Sequence, residues 1–142
     1  MTDPVLLLDS TVLDSTVLDS TVLVAYERDL TRRAQALVLE ALTDGRLMVT
    51  AALSLAVACA ELGGETRELA WLIYDRNGPL SVLPLALGAM EIGAAAVGGG
   101  KTASDLEITH VIYEARATCA VVLTYDPNRY NGHRIDVVDL RP

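Results

Sequence analysis

Ala120-Val-Val-Leu-Thr124, followed directly by Tyr125-Asp126-Pro127, decides how the rest of the chain is read. The run is short, apolar and stopped by a turn sequence, which marks a strand rather than a helix. Its side chains do not alternate between apolar and polar, so both faces must be buried, as in a parallel sheet. The same signature recurs in Pro4-Val-Leu-Leu-Leu-Asp9, Leu47-Met-Val-Thr50 and Leu80-Ser-Val-Leu-Pro84, with residues 135–140 as a last, edge-like strand. Helical segments lie between them. Leu30, Ala34, Leu37, Val38 and Ala41 share one face of a helix over residues 29–44, which Asp44-Gly45 stops. Residues 51–62, 65–76, 85–97 and about 104–118 read as four further helices. Strands alternate with helices throughout, which predicts one α/β domain over residues 1–142 with a parallel sheet covered on both faces.

Composition agrees with a packed domain. A chain of 142 residues, 51% hydrophobic and 21% charged, with mean hydropathy +0.35, is no disordered segment. Phe is absent, so Leu, Val, Ala and Ile must build the core. The net charge of −8 excludes a basic groove for nucleic acid, although a bound metal can supply positive charge locally. Residues 51–60 are too short for a membrane span of about 20 residues, and Pro84 and Glu91 interrupt residues 79–98. Met-Thr-Asp-Pro at the start has no basic region, so no signal peptide is expected and a cytoplasmic location is. Cys59 and Cys119 are too few for a disulfide framework and are expected as buried free thiols.

In a parallel sheet the carboxyl ends of the strands share one edge, and α/β sites are built there. Asp9 and Asp126 fall at or just beyond such ends. Carboxylates brought together repel, and a hard divalent cation such as Mg²⁺ or Mn²⁺ relieves this while activating water against a phosphodiester. The candidate ligands are Asp9, or its copies Asp14 and Asp19, with Asp105, Glu107 and Asp126. Structural readings stand beside this one: Asp105 with Thr102 fits a capping box, and Asp126-Pro127-Asn128 is a good turn.

Leu8-Asp9-Ser-Thr-Val-Leu, or equally Leu18-Asp19-Ser-Thr-Val-Leu-Val-Ala-Tyr26, resembles the opening strand, acid and helix of PIN domains. Residues 120–130 resemble their closing strand with its Thr-x-Asp signature, and Asp105-Leu-Glu-Ile-Thr-His-Val their long acid-bearing helix. The order of elements matches over essentially the whole chain, most closely the actinobacterial branch related to toxins of type II toxin–antitoxin pairs. The resemblance implies a three-layer α/β/α sandwich with a central, mostly parallel sheet of about five strands. It also implies Mg²⁺- or Mn²⁺-dependent endonucleolytic cleavage of single-stranded or structured RNA, an antitoxin protein as partner, and a homodimer. Asp9, Asp105 and Asp126 would be catalytic, with Glu107 as a further metal ligand and Asn128 as an outer partner. The match has gaps. The family's second acid maps to Val57, with Glu61 one turn on, and its third to Ile108, beside Asp105 and Glu107. These gaps open the alternative of a PIN-like binding or regulatory protein without catalysis.

Asp-Ser-Thr recurs with a period of five across residues 7–21, a period that suits neither helix nor strand. Deleting ten residues restores an uninterrupted strand, acid and helix, so the repeat reads as a tandem expansion at that junction. The burial needed by Val5-Leu-Leu-Leu8 favours that run as the central strand with Asp9 as ligand, and the rival register uses Asp19.

Weaker signals have ordinary explanations. Ala95-Ala-Val-Gly-Gly-Gly-Lys101-Thr102 fits a loose P-loop pattern and would make a nucleotide binder, but a helix precedes it where a strand is required. His110 and His133 lack partners at zinc spacing, and a packed or solvated histidine is the default. Arg32, Arg33, Arg116, Arg129 and Arg134 read as solvated surface. Trp71 and Tyr74 read as core or dimer contact.

Overall fold

The computed structural model describes residues 15–28, 32–45, 47–74, 79–85, 88–98 and 105–141. Strand β1 (Ser15–Leu18) leads into α1 (Ser20–Arg28) and α2 (Arg33–Asp44). Next come β2 (Leu47–Ala51), α3 (Ala52–Glu61), α4 (Arg67–Tyr74) and β3 (Leu80–Leu83). The chain continues through α5 (Gly88–Gly98), α6 (Leu106–Thr118), β4 (Val121–Thr124), a 3-10 turn (Pro127–Tyr130) and β5 (Val137–Asp139). The five strands form one sheet in the order β3-β2-β1-β4-β5, every neighbouring pair parallel. This is the three-layer α/β/α architecture. Gly45, with φ 67°, ends α2 in the left-handed region that a residue lacking Cβ enters at little cost.

Alternate residues of the central strands feed two separate cores, which explains their continuous apolarity. Leu18, Met48 and Leu123 point into one, beneath Val22 and Leu23 of α1, Val38 of α2 and Leu69 and Leu72 of α4. Val17, Val49 and Val122 point into the other, against Val111, Ile112 and Ala115 of α6. A strand covered on both sides has no polar face to show.

The place between β2 and β4 belongs to Ser15–Leu18, so Asp19 and not Asp9 ends the central strand. Residues 1–14, with Asp9 and Asp14, lie outside the described residues. The strand itself offers no choice of frame, because Ser-Thr-Val-Leu-Asp-Ser-Thr occurs identically at residues 10–16 and 15–21. The helix behind it decides. Val22, Leu23, Val24 and Ala25 are all buried, Val24 only 6% exposed. One repeat earlier in frame, those four places would hold Val17, Leu18, Asp19 and Ser20, putting a carboxylate in the core at Val24.

Two further expectations, on the cysteines and on Trp71 and Tyr74, are revised. Cys119 is exposed and Cys59 half-buried, both free, because Cys119 turns the chain out of α6 with φ 53° instead of lying within β4. Trp71 and Tyr74 lie on the outer face of α4, 51% and 82% exposed, and so take no part in the core. The glycine-rich residues 99–104 lie outside the described residues, but the segment before them is helix α5, where a P-loop needs a strand. Among the described residues no helix is long and apolar enough to cross a membrane.

If α1 fixes the frame, Val24→Asp, which places an unpaired charge at that position, will destabilise the fold by about 3–5 kcal/mol, read by urea or thermal unfolding.

Candidate functional site

From β1 the chain builds outward to β2 and β3, then returns to place β4 on the opposite flank of β1. Such a reversal leaves a crevice at the carboxyl ends of the two strands where the direction changes. Asp19 is the first residue past β1 and Thr124 the last of β4, so both stand at that crevice. Three helices and a turn also contribute: Ser20 and Thr21 from the start of α1, Ser54 from α3, Glu107 from α6, and Arg129 and Tyr130 from the 3-10 turn.

Asp19 caps α1. Its Oδ1 accepts the backbone N–H of Thr21 at 3.0 Å and of Val22 at 3.4 Å, which are free donors at any helix start. Its Oδ2 accepts the Tyr130 hydroxyl at 2.7 Å and Arg129 Nη1 at 3.2 Å. Glu107 is satisfied as completely. Its Oε1 accepts the Ser20 hydroxyl at 2.8 Å and a hydrogen bond from Arg129 Nη2, while its Oε2 accepts the Ser54 hydroxyl at 2.8 Å and the Ser20 N–H at 3.5 Å. The two carboxylate side chains are 0% and 1% exposed, and the Arg129 side chain above them 16%. Both acids also meet the positive end of α1, which favours negative charge.

Hydroxyls extend the cluster into β4. Thr21 Oγ1 donates to Asp19 Oδ1 at 2.5 Å and accepts the Tyr125 N–H at 2.8 Å. Its single proton is thereby used, so in the 3.2 Å contact with Thr124 Oγ1 the donor is Thr124. Thr124 Oγ1 in turn accepts the Asp126 N–H at 2.9 Å. Donors thus point in one direction, from Asp126 N–H through two threonines to Asp19, and each bond polarises the next.

Burial lowers the basicity of the Arg129 guanidinium, but the charges of Glu107 and Asp19 outweigh it and raise its pKa, so it stays a cation. Burial, with the charge and hydrogen bond of Asp19, raises the Tyr130 pKa, so that hydroxyl stays protonated and donates. His110, three residues past Glu107 on α6, is 1% exposed, and burial lowers its pKa. Its Nδ1 accepts the Leu53 N–H at 3.4 Å, which makes it a packed neutral histidine holding the start of α3.

The structure thus brings Asp19 and Glu107 together. Asp126 enters the cluster only through its backbone N–H; its side chain is exposed at the turn, where its carbonyl accepts the Arg129 N–H, as the turn reading expected. Asn128 is exposed on the same turn. Asp105 precedes α6 without a side-chain cap bond, and its carbonyl accepts the Thr109 hydroxyl at 3.1 Å. Among the described residues no three of His, Cys, Asp and Glu are grouped as a metal site. The α3 residue that reaches the centre is Ser54, one turn before the exposed Val57, and Glu61 is exposed at the far end of that helix. Arg129 is no solvated surface cation but the clasp of the centre. The sequence signal for it was its place three residues past Asp126, where a 3-10 turn swings it back over the sheet edge.

A divalent cation shared by Asp19 and Glu107 would need one oxygen from each, and in this arrangement Oδ2 and Oε1 already face the two guanidinium nitrogens. The remaining oxygens are turned to helix amides and hydroxyls. The donor set therefore does not fit a resident Mg²⁺ or Mn²⁺. No family model matches the chain, and no curated protein matches it.

Tyr130→Phe, removing a hydrogen bond to a buried carboxylate, is expected to cost about 1.5–3 kcal/mol in urea unfolding. His110 gives a pH signature. Its folded pKa lies below the usual 6.5, so the stabilisation is complete above that value and is lost as pH falls toward the folded pKa. Wild type should accordingly lose stability more steeply than His110→Asn as pH falls below 6.5, which unfolding curves across that range will show.

Proposed function

We propose that this chain is a PIN-like α/β domain that works by binding, as a regulatory partner in a homodimer or with an antitoxin-type protein, and not as a nuclease. One observation carries the reading: Arg129 bridges Asp19 and Glu107, so the acids that resemble a catalytic pair are spent on holding the fold. Two carboxylates beneath one guanidinium leave an excess of negative charge in a chain that already carries −8. An RNA phosphate brought to that edge would be repelled. The exposed aromatics Trp71 and Tyr74 on α4 suit a protein partner. A cytoplasmic setting goes with this reading.

The second reading, a Mg²⁺- or Mn²⁺-dependent endoribonuclease of toxin type, has one observation in its favour. Asp19 and Glu107 converge at the carboxyl edge of the sheet, at the switch point where α/β enzymes keep their sites.

Incubation with single-stranded and structured RNA in Mg²⁺ or Mn²⁺ separates the two. The binding reading expects no cleavage above that of Asp19→Asn, and a dimer mass by light scattering. Metal-dependent cleavage by wild type that Asp19→Asn abolishes would replace it with the ribonuclease reading.

A further inference from the structure

The disagreement between the acid pair and a resident metal has a specific cause in this chain. Asp19 Oδ2 and Glu107 Oε1 both accept from Arg129, which spans them with one nitrogen on each. A planar guanidinium is suited to such two-point contact, whereas an ammonium acts as a point charge. The side chain is held from both sides. Nη1 also donates to the Ser20 hydroxyl at 3.3 Å, and the next residue, Tyr130, is 3% exposed with its hydroxyl on the same carboxylate oxygen as Arg129 Nη1. Arg129 offsets one of the two negative charges, and the N–H groups of Ser20, Thr21 and Val22 at the start of α1 offset part of the other.

We propose that Arg129 is the permanent counter-ion of this centre, standing where a divalent cation would otherwise sit, so that the fold is independent of metal. The proposal rests on the reading of the domain as non-catalytic. Its consequence is that a divalent cation and the Arg129 side chain exclude one another, and that shortening residue 129 opens a cation site at Asp19 and Glu107.

Mn²⁺ added to the full chain tests this, read by the electron paramagnetic resonance of free Mn²⁺ and by thermal melting, with parallel melts in EDTA. Wild type is expected to leave the Mn²⁺ signal unchanged and to melt at one temperature in Mn²⁺ and in EDTA. Arg129→Ala should melt lower, and Mn²⁺ should bind it and raise its melting temperature by about 3–6 °C, a gain absent from Asp19→Asn/Arg129→Ala. Arg129→Lys, which keeps the charge without the fork, should fold, melt below wild type and bind no Mn²⁺. It carries the test if the alanine variant does not fold.

Mn²⁺ binding by wild type that Asp19→Asn removes would overturn the proposal. So would an Arg129→Ala protein as stable as wild type, one that Mn²⁺ does not rescue, or an Arg129→Lys protein that melts like wild type. Mn²⁺ binding at Asp19 without RNA cleavage would sink this inference alone. RNA cleavage in EDTA would sink the functional reading and leave the counter-ion role standing.

Discussion

Two ionised carboxylates sealed from water are costly unless their oxygens are met by donors and their charge by a cation, and Asp19 and Glu107 are sealed almost completely. Arg129 supplies the cation, and the donors come from parts of the chain that have nothing else in common. The ends of β1, α1, α3, α6 and the turn after β4 are all fixed by this one requirement. Moving any of them by the length of a hydrogen bond leaves a buried charge short of a partner. The carboxyl edge of the sheet is accordingly held by directional bonds from five elements.

The polar cluster and the apolar cores divide the work. The cores, one on each side of β1, provide the non-directional drive to bury strands and helix faces. In such cores, exchange between apolar side chains of similar volume costs less than truncation. The hydroxyl chain from Thr124 through Thr21 to Asp19 is directional, and so is the Thr50 hydroxyl, which donates to the Leu18 carbonyl at 2.7 Å. These bonds tie α1, β2 and β4 to β1 at fixed heights, which apolar packing alone leaves loose. A buried network of this kind favours one arrangement among the several that the apolar pattern allows.

The architecture was legible because periodicity is local. Residues 120–124, 47–50 and 80–84 each show the continuous apolarity of a doubly covered strand within a few positions, and their order fixes the alternation of elements. Glu107 was also within reach, as an acid in the first turn of a long helix. Arg129 was not. It lies 110 residues from Asp19 and 22 from Glu107, and its place three residues past Asp126 names no partner for it, while Arg116 and Arg134 are exposed. Ser54 was hidden in the same way, because a small hydroxyl in an apolar helix has no period of its own.

The sequence by itself determined an α/β domain of about five strands, the places of five of its helices, and a set of acids near the strand ends, since each rests on patterns a few residues long. It left open which copy of Asp-Ser-Thr would end the central strand. Three identical acid junctions cannot be ranked by local propensity. Only the tertiary structure decided that, by burying Val22–Ala25 behind Asp19, where the earlier copy would have put a carboxylate in the core. Tertiary structure also decided that the acid pair meets an arginine, because charges far apart along the chain become neighbours only when the sheet reverses direction around β1.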